Sequence, residues 1–235
     1  GPEVAISGTS IIVAGRPPGY DLKTGQVHVN ETSGTTGWSQ LGSDINGPST
    51  YAFAGDSVSL SYDGHRVAVG IPRASSQAGE VRMYDYALTT GWTLVASEII
   101  GDNSDDIFGK SVSLSSSGSR VAVGAPGNTG SYNVFSGTSA GYVRVFEYIS
   151  SSWTQIGADI VGENESDHSG TSVSLSGDGS HVAIGARWND GGGTSSGHVR
   201  IFKYVESNTS WVQVGGAGAD LDEDAAGDQS GYGVS

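Results

Sequence analysis

The sequence predicts an all-β protein, a β-propeller-type array of four-stranded antiparallel blades with four repeats plus the first strand of a fifth. Three observations carry that prediction. The string Ser-Val-Ser-Leu-Ser recurs at residues 57–61, 111–115 and 172–176, and each copy is followed by a short turn and an apolar run at 67–70, 121–124 and 182–185. The 38 glycines belong with many tight turns, and no stretch shows a helical apolar period. Along the first strand of each repeat, Val and Leu alternate with Ser rather than with Lys or Glu. A sheet with one wet face carries charges there, whereas small serines suit a sheet packed on both faces, as radial blades are.

Each repeat reads as strands A to D. In the third, A covers 111–115, B 120–124, C 141–148 and D 153–157, all with alternating apolar or β-branched residues bounded by Gly-bearing turns. The A–B turns are Asp63-Gly64, Ser117-Gly118 and Asp178-Gly179, where glycine supplies the positive φ of a tight hairpin. Strand C recurs from Val81, Val143 and Val199, each followed by an arginine, and strand D recurs at Trp38, Trp92, Trp153 and Trp211. A weaker first copy runs through residues 4–7 and 12–15. Gly15, Gly70, Gly124 and Gly185 then lie 55, 54 and 61 residues apart, the extra length falling in the B–C loops at 127–140 and 188–196. These spacings divide residues 1–235, taken as one propeller-type domain, into repeats at about 3–56, 57–110, 111–171 and 172–232. Residues 233–235 open a further one, because 231–235 align with 170–174.

Composition excludes several functions. A net charge of −14, from 25 acidic and 11 basic residues, repels phosphate backbones, so neither nucleic acid nor insertion into a membrane is expected. Without cysteine there are no disulfides, thiolate metal sites or thiol chemistry. No apolar run approaches membrane-spanning length.

The third repeat spells Phe108-Gly109 and then, after strands A and B, Gly124-Ala125-Pro126. With these landmarks the chain resembles the FG-GAP repeat family, the β-propeller repeats of integrin α-subunit heads and of microbial surface proteins. The second copy has Phe53-Ala54-Gly55 and Gly70-Ile71-Pro72; the fourth keeps Gly170 and Gly185 and loses Phe and Pro. The resemblance implies a propeller with a ligand-binding face and, often, calcium in an Asp-rich A–B loop. Here those connections are too short to supply the six to eight oxygens calcium takes, so no calcium site is carried over to them and no cofactor is expected.

Acidity concentrates in the D–A connections, with Asp106, Asp167 and Asp228 at equivalent places. The preferred reading makes each a turn cap through backbone amides; the alternative is a carboxylate ring for cations. B–C and D–A loops share a rim, which carries Tyr20, Tyr132, Phe135 and Trp188 beside Asn189 and Asp190. Tyr132, Phe135, Trp188, Asn189 and Asp190 are the candidate ligand-binding residues, for stacking on a sugar or anchoring a protein. Arg82, Arg144 and Arg200 are expected to pair with adjacent loop carboxylates or carbonyls. Gly137-Thr138-Ser139-Ala140-Gly141 matches a nucleophile-elbow string but precedes a strand, and the five histidines lack zinc-ligand spacing, so no catalytic or metal residue is assigned. Three Asn-x-Ser/Thr strings, at Asn30, Asn164 and Asn208, point weakly to secretion.

The resulting expectation is a non-enzymatic, secreted or cell-surface interaction module of adhesion type, binding a protein or glycan through the loop rim. A structural protein whose repeats self-associate with their neighbours in a layer or filament is the alternative, and a propeller-based enzyme is a weaker one.

Overall fold

The computed structural model describes residues 4–6, 10–15, 24–32, 37–127, 140–216, 218–222 and 225–235. They form four antiparallel sheets in chain order. The first runs β1 (Val4–Ile6), β2 (Ser10–Gly15), β3 (Gln26–Thr32), β4 (Trp38–Gln40), with β5 (Ile45–Asn46) also on β3. The second uses β6 (Ser57–Leu60), β7 (Arg66–Ile71) and β8 (Glu80–Ala87), with β9 (Gly91–Leu94) and β10 (Ile99–Ile100) both on β8. The third has β11 (Ser111–Leu114), β12 (Arg120–Ala125) and β13 (Tyr142–Ile149), with β14 (Ser152–Gln155) and β15 (Ile160–Val161) on β13. The fourth has β16 (Ser172–Leu175), β17 (His181–Ala186) and β18 (His198–Val205), with β19 (Ser210–Gln213) and β20 (Leu221–Asp222) on β18.

The fold is therefore the all-β, propeller-type array that the repeats predict. The outermost strand of each blade is in two segments rather than one. Left-handed backbone at Gly42, Ala96, Gly157 and Gly215 interrupts it, and the chain then returns to the third strand for two residues. Residues 231–235 add no strand. Gly231 nevertheless docks on the fourth sheet, where Ser172 Oγ donates to its carbonyl at 2.8 Å.

That contact belongs to a repeated seam. Ser57 Oγ donates to Gly109 O at 2.8 Å and Ser111 Oγ to Gly170 O at 2.9 Å. Deeper in the same seam, the amides of Leu114 and Leu175 donate to Ser59 Oγ and Ser113 Oγ of the preceding sheet, each at 2.9 Å. The serines of strand A thus bond from sheet to sheet, which a Lys or Glu at those positions could not do in so little space. A Cβ on Gly70, Gly124 or Gly185 would lie 2.1, 2.2 or 2.0 Å from the carbonyl oxygen of Gly109, Gly170 or Gly231. The paired glycine landmarks are two sides of one close approach between consecutive units.

Apolar clusters fill the spaces between successive sheets. Val27 and Val29 of β3 meet Val67 and Val69 of β7; Val81 and Met83 meet Phe108, Val121 and Val123; Val143 and Val145 meet Val173, Val182 and Ile184. Each such buried side chain contributes about 1.5–3 kcal/mol. Phe108 meets Phe146 edge-on at 6.2 Å. Polar clamps flank these layers: Arg120 pairs with Glu147 at 2.9 Å and donates to Gly179 O of the next turn, and Trp211 Nε1 donates to Ile156 O at 2.9 Å. Three of the repeated tryptophans are packing anchors, Trp92 on Tyr86, Trp153 on Tyr148 and Trp211 on Tyr204 at 5.1–5.2 Å, whereas Trp38 is exposed.

Phe53 does not stand where Phe108 stands. Backbone bridges place Ala54, Phe108, Ser169 and Ser230 in one column, and Phe53 shares the preceding left-handed position with Ile107, His168 and Gln229. No helix among the described residues is long and apolar enough to cross a membrane.

Candidate functional site

Antiparallel connectivity brings the B–C and D–A loops to one rim, and their backbones interlock there. Asp105 N donates to Gln77 O, Gly127 N to Asp106 O, and Gln229 N to Ser195 O, at 3.0–3.2 Å. The rim is best defined at the fourth sheet, where residues 162–171 face residues 187–197.

Asp167 organises this region. It is buried, and its Oδ2 accepts from Asn164 N at 2.9 Å and from Asn189 Nδ2 at 3.0 Å. Asp106 repeats the first contact, accepting from Asn103 N at 3.0 Å, and adds the Tyr142 hydroxyl at 2.9 Å. Both carboxylates close their own loops, since an Asx side chain satisfies the turn's backbone donor. Asp228 is exposed, and its amide donates to Ala225 O.

Of the five candidate ligand residues, Tyr132 and Phe135 lie outside the described residues, as do Tyr20, Glu223 and Asp224. Asn189 is buried, with its amide engaged by Asp167 and by Gly191 N, so it shapes the loop. Asp190 is exposed and accepts from Ser195 N at 2.7 Å. Trp188 is half-buried. Its ring meets His168 edge-on at 4.9 Å, and the Arg187 guanidinium sits 5.2 Å above it and 5.2 Å from the exposed ring of Tyr232. The surface offered at this rim is therefore Trp188, Arg187, Tyr232 and Asp190.

His168 is fully buried beneath Trp188, with Nδ1 3.1 Å from Pro126 O. Burial pulls its pKa below the ordinary value, against the opposing effects of that hydrogen bond and the Asp167 charge and with help from Arg187.

The strand C arginines bind locally. Arg82 pairs with Glu80 at 2.7 Å, Arg144 with Asp159 at 2.8 Å, and Arg200 donates to Val161 O at 2.9 Å. They do not form one clamp.

Two features escaped the sequence reading. Glu163, His198 and Asp220 bring ligand-type atoms within 4.8 Å of one another, from segments too far apart in sequence to form a zinc-spacing motif. On the opposite rim, a groove of about 420 Å³ between the first two sheets is lined by Glu31, Leu41, Asp63, His65, Tyr86 and Leu88. Its only sequence signal is the repeated A–B turn.

Residues 162–202 match the FG-GAP repeat model. No curated protein matches the sequence. Solved structures share the fold at low identity. One, from Bacteroides uniformis ATCC 8492, is named for 6-phosphogluconolactonase activity; it is 16% identical with a TM-score of 0.56, over 94% of this chain and 56% of that one. Hydrazine synthase of Kuenenia stuttgartiensis is 15% identical with a TM-score of 0.54, over 88% and 54%. TolB of Acinetobacter baumannii is 13% identical with a TM-score of 0.53, over 95% and 43%. The chain spans about half the length of these structures, and identities this low speak to fold alone.

Proposed function

The chain carries an FG-GAP repeat in a β-propeller-type array, and we propose that it is a non-enzymatic, extracellular interaction module of adhesion type. Its ligand, a protein or a glycan, binds at the rim formed by residues 162–171 and 187–197. The observation that carries this reading is the Arg187, Trp188 and Tyr232 stack beside exposed Asp190. Exposed aromatics also occur at Trp38, Tyr51 and Tyr62; at this loop edge the exposed ring of Tyr232 and the ring of Trp188 share one guanidinium, a composition that anchors protein and sugar ligands.

The test is binding of the whole chain to a glycan microarray and to an array of extracellular protein domains. Saturable binding weakened about tenfold by Asp190→Ala and Tyr232→Ala, and unaffected by Leu88→Ala on the opposite rim, supports the rim. Binding that survives the rim variants and is lost with Leu88→Ala moves the site to the opposite groove, and no binding on either array refutes the module.

One observation favours the assembly reading. Ala183, Val199 and Ile201 of the fourth sheet are only partly buried, although their counterparts Ala68, Val81 and Met83, and Ala122, Val143 and Val145, are fully buried under a following sheet. A further sheet of the same repeat chemistry would cover them. Light scattering across a concentration series tests this: association abolished by Ile201→Asp supports it, and a monomer at every concentration rejects it.

A further inference from the structure

The geometry points to a divalent transition-metal site formed by Glu163, His198 and Asp220 beneath the rim. It draws Glu163 from the rim segment 162–171 but none of Arg187, Trp188, Asp190 or Tyr232, and it lies apart from the A–B turns.

His198 opens β18 and is 1% exposed. Neither ring nitrogen has a hydrogen-bond partner. A neutral imidazole presents one donor and one acceptor, and burying both unmatched is costly unless a ligand satisfies one of them. The repeats provide internal controls. The residue in the same place is Gln26 in the first sheet and Tyr142 in the third. Gln26 Nε2 donates to Asp44 at 2.8 Å and Asn46 at 2.9 Å, and the Tyr142 hydroxyl donates to Asp106 at 2.9 Å. The fourth repeat installs an imidazole there and surrounds it with carboxylates.

Those carboxylates come from different segments. Glu163 follows β15, Asp220 precedes β20, and Asp222 is the cross-strand partner of His198. Glu163 Oε2 lies 4.0 Å and Asp222 Oδ1 3.7 Å from His198 Nδ1. These separations are too long for hydrogen bonds and close to what one shared ion sets between its ligands. Bonds of about 2.1 Å at tetrahedral angles place ligand atoms roughly 3.4 Å apart. Glu163 and Asp220 retain some exposure, so small rotations close the difference. Each also has one oxygen engaged elsewhere: Asp220 Oδ1 accepts from Gln213 Nε2 at 2.6 Å, and Glu163 Oε1 lies 3.7 Å from Arg200 Nη1. The other oxygen of each is left for an ion.

The donor set selects the ion. One imidazole with two carboxylates suits zinc and its first-row neighbours, whereas calcium and magnesium favour all-oxygen shells. Asp222 lies near His198 but outside the three-residue group, and Arg200 Nη1 stands 3.7 Å from Glu163 Oε1. The ion would tie the loop after the third sheet to both central and outer strands of the fourth.

The experiment is titration of zinc chloride into the whole chain in phosphate-free buffer at about pH 7.5. One saturating equivalent is expected, with cobalt giving visible absorption at the same site. Glu163→Gln, Asp220→Asn and His198→Gln should each weaken binding about tenfold or more, while Asp228→Asn should not. Gln26 holds the His198 position in the first repeat, so His198→Gln keeps a side chain the fold already uses there. No saturable uptake below about 100 μM zinc, or uptake unchanged in Glu163→Gln and Asp220→Asn, overturns the site.

Discussion

Replacing Gly124 with alanine tests the seam between sheets. Its backbone is not left-handed, so alanine costs nothing in φ, and any loss is steric. The added Cβ would stand 2.2 Å from Gly170 O and 2.3 Å from Ser111 Oγ. The first contact pushes the third and fourth sheets apart, and the second breaks the bond from Ser111 to Gly170. Overpacking costs about 1–3 kcal/mol and the lost hydrogen bond about 0.5–1.5 kcal/mol. A total near 3 kcal/mol lowers Tm by roughly 6–12 °C in a chain of this size. Guanidinium and thermal unfolding followed by circular dichroism measure it. Gly233→Ala meets nothing within 4 Å and has no positive φ, so it should change little. Gly91→Ala, at φ +69° in open space, isolates the backbone cost of about 1–2 kcal/mol. If Gly124→Ala unfolds within about 0.5 kcal/mol of Gly233→Ala, the close approach between units is wrong.

Three further outcomes follow from the same contacts. Ser113→Ala leaves the Leu175 amide without its acceptor, so stability should fall by about 1–3 kcal/mol and exchange at Leu175 should quicken, read by hydrogen-exchange mass spectrometry. His168, facing Arg187, Asp167 and Pro126 O, has a folded pKa depressed below the ordinary 6.5. Below about pH 6.5 the unfolded chain takes up a proton that the folded chain refuses, so stability falls with acidification. His168→Gln, the residue found at the equivalent Gln229, should flatten that fall in unfolding measured from pH 8 to about 5. Asp159 is held below the ordinary carboxylate range chiefly by its hydrogen bond from Arg144. Its contribution is present above the unfolded value of 3.8 and lost as pH falls through the folded one, so the deficit of Asp159→Asn at pH 7 should shrink in acid.

Repetition made most of the architecture legible. The expected strands at 111–115 and 120–124 correspond to β11 (Ser111–Leu114) and β12 (Arg120–Ala125), because alternation and hairpin glycines are local signals. The serine alternation also announced two covered faces, and Ser59 and Ser113 show why: their hydroxyls bond to the next sheet. The two-residue segment β15 (Ile160–Val161) was not legible, being too short to show a period and set apart by Gly157. Nor was the left-handed column of Phe53, Ile107, His168 and Gln229, whose side chains share no chemistry. At the rim, Trp188 and Asp190 could be chosen by type, but the burial of Asn189 depends on Asp167, 22 residues away. The Glu163, His198 and Asp220 group was invisible for the same reason: its members converge only when the third and fourth sheets are in place.

Whether successive sheets meet face to face through their first strands is read by nuclear Overhauser spectroscopy on the isotope-labelled chain. Cross-peaks should join the Leu175 amide to the Ser113 β-protons and the Leu114 amide to those of Ser59, pairs 62 and 55 residues apart. Spectra with every expected cross-strand peak inside each sheet and none between Ser113 and Leu175 or Ser59 and Leu114 would contradict the array.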